Sequence, residues 1–138
     1  MKQPKYFQLE IITPDRLPIQ EQVIQVIAPG RHGRFGVLVR HAPALIELTV
    51  GTVEVQAVSG NRTFTISGGL AEIRNNVMKL LVASAEEAET IDVARAEQAR
   101  DRALARLKAR QKHIDIHRAQ AALARALNRL HAARKYFR

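Results

Sequence analysis

Residues 84–96 read Ser84-Ala85-Glu86-Glu87-Ala88-Glu89-Thr90-Ile91-Asp92-Val93-Ala94-Arg95-Ala96, and the hydrophobic period of the chain changes along this stretch. Before it, short apolar runs are separated by turn residues. From residue 90 onward the sequence has no glycine or proline, and alanine dominates. The stretch therefore predicts a boundary between a β-rich part and a helical part. We expect an α+β chain with two domains, over residues 1–86 and 87–138.

Residues 1–86 are typical of an antiparallel β-sandwich. Residues 52–58 alternate strictly, with the side chains of Val53, Val55 and Ala57 on one face, and the turn residues at 59–62 then predict a hairpin. Short strands with turn signals every few residues are the pattern of a sandwich or small barrel. The other β-rich runs lie at 6–12, 23–28, 63–67, 70–73 and 77–82, and Asn75-Asn76 predicts a turn between the last two.

Two stripes of apolar residues, mostly alanine, predict an antiparallel helical hairpin after the sandwich, because their spacings of three and four follow the helical period. Residues 111–114 lack this period and predict the turn, and Asp115 is placed to cap the second helix. Small side chains bury little area, so the hairpin should be marginal alone and able to undock. The stripes are Ala96, Ala99, Ala103 and Leu107, then Ile116, Ala119, Leu123, Ala126, Leu130 and Ala133.

The net charge of +9 is confined to the last third of the chain. Residues 1–90 carry nine basic and nine acidic side chains, whereas residues 91–138 carry thirteen basic and four acidic ones. A neutral body with a cationic arm indicates that the arm meets an anion, such as an acidic protein, a nucleic acid, a nucleotide or a lipid.

Several kinds of site are disfavoured by the sequence. The chain has no cysteine, so it has no disulfide framework and no thiolate metal site. His113 and His117 have metal-ligand spacing without an obvious third ligand, so we expect no metal. The glycines at 30, 33 and 36 are not followed by the Lys-Ser/Thr of a phosphate loop. There is no apolar signal core, no stretch long enough to span a bilayer and no evident catalytic pair.

Four stretches, in order and over nearly the full length, resemble the epsilon subunits of bacterial and chloroplast ATP synthases. The first is a glycine-rich loop that ends in a His-Ala-Pro tripeptide, the second is a single glycine, and the third is a Gly-Gly-x-x-Glu segment. The fourth is the junction into the hairpin. The chain departs from the family at Val39-Arg40, where Pro-Gly is common, at Leu70, where an aromatic is usual, and at Arg34, where an acidic or polar residue is frequent. The stretches are 30–43, Gly51, 68–73 and 85–96.

The resemblance implies a non-catalytic subunit that couples the central stalk to the membrane rotor ring. It also implies that the hairpin can extend into the catalytic head and inhibit ATP hydrolysis. The expected partners are the gamma subunit, the c subunits of the ring, and the alpha and beta subunits, with no nucleic acid and no membrane span. The expected location is peripheral, on the cytoplasmic face of the bacterial plasma membrane.

Three groups of site residues follow from the resemblance. The family geometry implies a rotor-ring contact at Arg34, Phe35 and His41, and an exposed aromatic beside Arg and His suits a polar interface. The alternative is that Phe35 lies in the core and His41 only caps a turn. No cofactor is required, but ATP is expected as a regulatory ligand, bound by Glu86, Ile91, Asp92, Arg95, Ala96, Arg102, Arg125 and Arg129. The contact with the catalytic head is expected at Arg118, Arg125, Arg129, Arg134 and Lys135.

Arg95, Arg102 and Arg106 are spaced seven and four residues apart, as are Arg118, Arg125 and Arg129, so each trio lies along one helical face. The simpler interpretation of these arginines is a solvated helix face. A different class of protein remains as an alternative, a small basic β-barrel with a helical arm that binds nucleic acid. A sequence pI near 10.8 fits that alternative. The low aromatic content of 4% and the neutral β-rich part do not, because stacking platforms for single strands are missing.

Overall fold

The computed structural model describes residues 4–109 and 115–136, with side chains of the last helix described as far as Arg134. The chain divides into two compact units, Met1–Glu87 and Ala88–Arg138. The first consists of strands and the second of helices. The expected α+β class, a β-sandwich followed by a two-helix hairpin, is confirmed. The elements are β1 (Phe7–Ile12), β2 (Ile19–Gly30), β3 (Gly33–Leu38), β4 (Ala44–Ala57), β5 (Gly60–Arg74), β6 (Val77–Val82), β7 (Ala85–Glu87), a 3-10 turn (Ala88–Thr90), α1 (Val93–Ala109) and α2 (Ile116–Tyr136).

The strands form one folded sheet in the order β1-β6-β5-β4-β2-β3, with β7 paired to β5 and β1 paired also to β2. Because β1 bonds to both β2 and β6, the sheet closes on itself into a barrel-like sandwich. The pairing of β1 with β6 is parallel, whereas all the other pairings are antiparallel. The expected sandwich is therefore correct except for one parallel pair.

The core of the first unit forms from alternate residues of these strands. In β4 the alternation is as expected, since Val53, Val55 and Ala57 are all buried. Phe64 and Met78, from β5 and β6, are completely buried among them. Such closely packed apolar side chains hold the strands that carry the loops in place.

Strand β5 is longer than the sequence indicated. Two strands were expected, over 63–67 and 70–73, but a single strand runs over residues 60–74 and pairs with β7 in its first half and β6 in its second. Gly68 and Gly69 lie between the halves at φ of 104° and 142°, where glycine is favoured. A Cβ at Gly69 would lie 2.2 Å from the carbonyl oxygen of Leu81. The glycine pair therefore redirects the strand without ending it.

The hairpin turn before β5 also differs from expectation. Ala57 pairs with Gly60, so the turn is the two-residue Val58-Ser59 and begins one residue earlier than the 59–62 segment that was predicted. The Asn75-Asn76 turn is confirmed, with both residues at positive φ. Asparagine tolerates this conformation better than most residues, which is why this turn was readable from the sequence.

In the second unit, α1 and α2 pack through alanine. Ala96 and Ala103 of α1 and Ala119 and Ala126 of α2 are buried, as expected. Ile116 was expected in this seam but is 48% exposed, because it is the first residue of α2, before the first buried turn. The sequence missed a small cluster in which Ala88 and Ile91 pack with Ala132 and Ala133. The predicted turn at 111–114 lies outside the described residues.

Candidate functional site

Arg34 lies in the edge strand β3, and its guanidinium group is directed back across the sheet. Its Nη1 donates to the carbonyl oxygen of Thr52 at 3.0 Å and lies 3.4 Å from the Thr52 hydroxyl oxygen. The residue itself is exposed. The guanidinium therefore keeps its charge at the surface while its position is set by β4.

Of the two interpretations of Phe35, the exposed aromatic side chain on a loop is wrong and the core side chain agrees with the structure. It lies in β3, is half-buried and packs against the core of the first unit. The strand alternates, so Phe35 and Val37 point inward while Arg34, Gly36 and Leu38 are exposed. Gly30 makes room for the ring, since a Cβ there would lie 3.0 Å from a ring carbon of Phe35.

His41 lies in the turn between β3 and β4. Its backbone N–H donates to the carbonyl oxygen of Leu38 at 3.3 Å. Its Nδ1 lies 2.7 Å from the carbonyl oxygen of Ala42, within hydrogen-bond distance. The ring is therefore oriented by the backbone of its own turn.

Asn76 holds this turn in place, and the sequence did not indicate it. The backbone N–H of Arg40 donates to Asn76 Oδ1 at 2.9 Å, and Asn76 Nδ2 donates to the carbonyl oxygen of Tyr6 at 2.8 Å. One asparagine thus joins the β3–β4 turn to the start of β1. The Asn75-Asn76 pair was readable as a turn, but its distant partners had no local signal.

The arginines of the hairpin are distributed over two helices that pack against each other. Arg95 and Arg102 on α1 and Arg125 on α2 are exposed, and Arg129 is half-buried with a partner. Arg118 and Arg134, expected at the head contact, are exposed on α2. The side chain of Lys135 lies outside the described part of the chain. No acidic residue occurs within α2, so its charge is wholly cationic.

Asp92 and Asp115 cap the two helices. Asp92 Oδ1 accepts from the backbone N–H of Arg95 at 3.0 Å, and Asp115 Oδ1 accepts from that of Arg118 at 3.1 Å. The predicted cap at Asp115 is confirmed. The carboxylate of Asp92 has a second oxygen that remains accessible to a ligand because the residue is exposed.

The other residues expected at an ATP site have different surroundings. Ile91 and Ala96 are buried in the second unit. Glu86 belongs to β7 of the first unit, where it is half-buried and its carbonyl oxygen accepts from the Thr65 hydroxyl at 3.5 Å.

Arg62 is the centre of an ion network that the sequence did not reveal. Its guanidinium pairs with the carboxylates of Glu21 and Glu87 and lies 4.9 Å from the centre of the Phe64 ring. All three charged side chains are about one-quarter exposed. The network joins β2, β5 and β7 and so secures the last strand of the first unit.

The described residues contain no cluster of three His, Cys, Asp or Glu side chains able to hold a metal. His113 lies outside the described residues, and His117 is exposed. Within the same part of the chain, no helix is long and apolar enough to cross a membrane.

Two family models match consecutive parts of the chain. The model described as the β-sandwich domain of the ATP synthase delta/epsilon chain matches residues 6–88. The model described as the long α-helix domain of the same chain matches residues 89–134. Together they cover almost the whole sequence, in the order of the two structural units.

Curated relatives agree with these matches. The ATP synthase epsilon chain of Nitratidesulfovibrio vulgaris is 47% identical over 112 residues, which are 79% of this chain and 84% of the relative. The ATP synthase epsilon chain of Pelotomaculum thermopropionicum is 45% identical over 99 residues, which are 72% and 74% of the two chains.

Solved structures give the same fold. A chain of the Euglena gracilis mitochondrial ATP synthase, in a structure of OSCP, F1 and the c-ring, matches with a TM-score of 0.81 and 26% identity, over 96% of this chain and 84% of that one. A chain from the central stalk and c-ring of the Tetrahymena thermophila enzyme matches with a TM-score of 0.63 over 96% and 99% of the two chains. At 16% identity the second match shows the fold alone.

Proposed function

This chain belongs to the ATP synthase delta/epsilon family as an epsilon chain of the F-type enzyme, and we propose that it couples the central stalk to the rotor ring and restrains ATP hydrolysis. It is a subunit of the central stalk of a membrane-associated enzyme complex. We propose that it takes no catalytic part itself and that it is attached, through its partner subunits, to the cytoplasmic face of the bacterial plasma membrane.

The observation that carries the proposal is the two-part chain, in which a well-packed β unit precedes a hairpin with an alanine seam. Each buried seam alanine contributes only a methyl group, and burial of one methyl-sized group stabilises by about 0.8 kcal/mol. A hairpin held by such a seam can open at small cost. This supports different roles for the two units, in which the β unit binds the partner subunits and the hairpin regulates ATP hydrolysis.

For the hairpin we propose ATP as the ligand of its closed form. Guanidinium groups bind polyphosphate through charge-assisted, bidentate hydrogen bonds. Arg95 and Arg102 on α1 and Arg125 and Arg129 on α2 supply such groups from two helices that pack together. Asp92, Glu86, Ile91 and Ala96 complete the set that the resemblance implies. ATP bound to both helices would stabilise the closed hairpin by RT ln(1 + [L]/Kd).

Calorimetric titration of ATP and ADP into the full chain tests this site. We expect heat from ATP binding, and weaker binding by about tenfold in both Arg102→Ala and Arg125→Ala, since each loses a charge-assisted contact. Arg106→Ala is the matched control, because Arg106 is an exposed arginine of α1 outside the proposed set. Absence of heat and of thermal stabilisation at millimolar ATP would remove the nucleotide from the proposal.

For the open hairpin we propose contact with acidic loops of the alpha and beta subunits. The cationic, acid-free α2 supports this, and the proposed contact residues are Arg118, Arg125, Arg129, Arg134 and Lys135. Arg125 and Arg129 belong to both proposed sites, so ATP and the catalytic head compete for them. That competition is the switch: two states of one element with different ligands.

For the β unit we propose contact with the gamma subunit and, through Arg34 and His41, with the rotor ring. The orientation of His41 by its own turn and of Arg34 by Thr52 supports a preformed surface.

ATP synthase rebuilt with Arg34→Ala and His41→Ala should hydrolyse ATP but pump fewer protons per ATP. Unchanged pumping in the double variant would exclude these residues from the ring contact.

A further inference from the structure

Glu87 and Ala88 are consecutive residues, but each is held in a different unit. Glu87 ends β7, which pairs with β5 in the first unit. Ala88 begins the 3-10 turn and is buried in the second unit, where it packs with Ile91, Ala132 and Ala133. Hinges are commonly a few residues at the ends of elements, where backbone torsions can change without breaking contacts. The contacts within the two units leave the Glu87–Ala88 link as that place.

Strand β7 is a weak element by itself. In the described part of the chain it has three residues, Ala85–Glu87, and pairs only with residues 64–66 of β5. Ala85 is its one buried residue, and it contributes only a methyl group. The Thr65 hydroxyl donates to the carbonyl oxygen of Glu86 at 3.5 Å, which is long for a hydrogen bond. A strand with so few buried groups opens easily unless another contact holds it.

Arg62 supplies such a contact at the end of β7. Its Nη1 donates to Glu21 Oε1 and its Nη2 to Glu87 Oε1, so one guanidinium group joins β7 to β2. Hydrogen bonds between charged groups are stronger than those between neutral groups. The three side chains are about one-quarter exposed, so salt screens them less than it screens a surface pair. The two terminal nitrogens of the guanidinium fork allow one side chain to hold both carboxylates.

The position of the guanidinium group is fixed by the core as well as by the carboxylates. It lies 4.9 Å from the centre of the Phe64 ring, which is completely buried. Phe64 is also the residue directly opposite Glu87 in the pairing of β5 with β7. The cation and the ring attract each other, so the contact adds to the two ion pairs. The end of β7 is therefore tied to the most rigid part of the first unit.

We propose that Arg62, with Glu21 and Glu87, is a latch that keeps β7 on the first unit and so restricts the pivot of the hairpin to the Glu87–Ala88 link. With the latch closed, the hairpin and its 3-10 turn move about this link as one piece. Without it, Ala85–Glu87 becomes part of the connection, which gains three residues and up to about 10 Å of reach. The inference rests on the hairpin movement in the proposed function, and not on ATP or on the catalytic head.

Hydrogen exchange of the full chain tests whether the latch holds β7. We expect exchange at the amides of Ala85–Glu87 to be faster by about tenfold or more in Arg62→Met and in Glu87→Gln, because the short pairing with β5 must then hold the strand. Glu87→Gln keeps the pair between Arg62 and Glu21, so it decides the outcome if Arg62→Met does not fold. Unchanged exchange in strand β4 shows that the first unit remains folded.

Arg74→Met is the matched control. Arg74 is also an arginine of β5 paired with a glutamate, since its Nε lies 3.2 Å from Glu72 Oε1. It belongs to the half of β5 that pairs with β6, away from β7. Its replacement should leave the exchange of β7 unchanged.

Spin labels test whether the latch restricts the hairpin. The chain has no cysteine, so two labels can be attached at Gln56→Cys in β4 and Gln98→Cys in α1, both at exposed positions. We expect the distribution of distances between the labels to broaden by up to about 10 Å in Arg62→Met and in Glu87→Gln. The distribution should not change in Arg74→Met.

Two results would overturn the latch. One is unchanged exchange of β7 in both Glu87→Gln and Arg62→Met. The other is faster exchange of β7 with an unchanged distribution of distances, since β7 would then not limit the hairpin. Neither measurement uses ATP or the rotary enzyme, so failure of the proposed ATP site or head contact would leave both results readable.

Discussion

Arg40 adopts a left-handed backbone conformation, with φ of 62°, which a residue with a Cβ disfavours by about 1 kcal/mol or more. The Arg40 N–H is held by Asn76 Oδ1, so the surrounding structure maintains the conformation. This gives a physical reason why glycine is common at this position in the family, and why Arg40 is strained where Val39-Arg40 stands in place of Pro-Gly. Glycine adopts the left-handed conformation without this cost.

We therefore predict that Arg40→Gly is more stable than Arg40→Ala, by about 1 kcal/mol in the free energy of unfolding. Both variants remove the same side chain, so the difference reports the backbone conformation. The measurement is urea denaturation of the two purified variants. At Gln56, an exposed residue in β4, the same pair of substitutions should give the reverse order. Equal free energies of unfolding for Arg40→Ala and Arg40→Gly would show that the backbone at this position is not strained.

At the scale of the element, the alanine seam decides how α1 and α2 approach each other. Ala126 is buried in the seam, while Ala124, two residues away on the same helix, is exposed. Larger side chains in a packed seam force the helices apart. The exposed leucines Leu104 and Leu127 show that the larger apolar residues of the hairpin are not all used to close it.

Ala126→Leu should destabilise the closed hairpin by about 1–3 kcal/mol, and Ala124→Leu should change its stability by less than about 0.5 kcal/mol. The stability of the two variants is measured by following the loss of the helical circular-dichroism signal as denaturant is added. If the hairpin is the inhibitory element, the Ala126 variant should also inhibit ATP hydrolysis more strongly in the rebuilt enzyme. Equal effects of the two substitutions would mean that the seam does not control closure.

At the scale of the whole molecule, the chain joins two units with different cores and different charge. The first unit has a core of large side chains, such as Phe64, Leu9 and Met78, and the second has mainly alanine. Residues 1–90 are neutral, whereas residues 91–138 carry the net +9. Membership of the ATP synthase delta/epsilon family favours a subunit of a rotary enzyme over the nucleic-acid-binding alternative.

We predict that the two units unfold in separate steps, the hairpin at lower denaturant concentration. Hydrogen exchange in α1 and α2 should be faster than in β4 and β5, because fewer apolar groups protect the helices. Added salt should raise the hairpin midpoint by screening its like charges and leave the β unit nearly unchanged. Coincident transitions, with no selective effect of salt, would show instead that the chain unfolds as one cooperative body.

Much of the candidate site was readable because its signals are local. The helical spacing of the arginines, the cap at Asp115 and the Asn75-Asn76 turn depend on residues a few positions apart. The exposure of Arg102 and Arg125 followed from the polar face of each helix. Phe35 was misjudged because a glycine-rich sequence was taken for a loop, although pairing with β2 makes it a strand.

The sequence by itself determined the two-part layout, the period of each element and the sign of the charge on the hairpin, because these depend on neighbouring residues. Only the tertiary structure decided which distant groups meet. Asn76 reaches Arg40 and Tyr6 across 36 and 70 residues of chain, and Arg62 reaches Glu21 across 41. The parallel pairing of β1 with β6 is of the same kind. Such contacts follow from how the closing sheet brings strand ends together, and no local pattern encodes that closure.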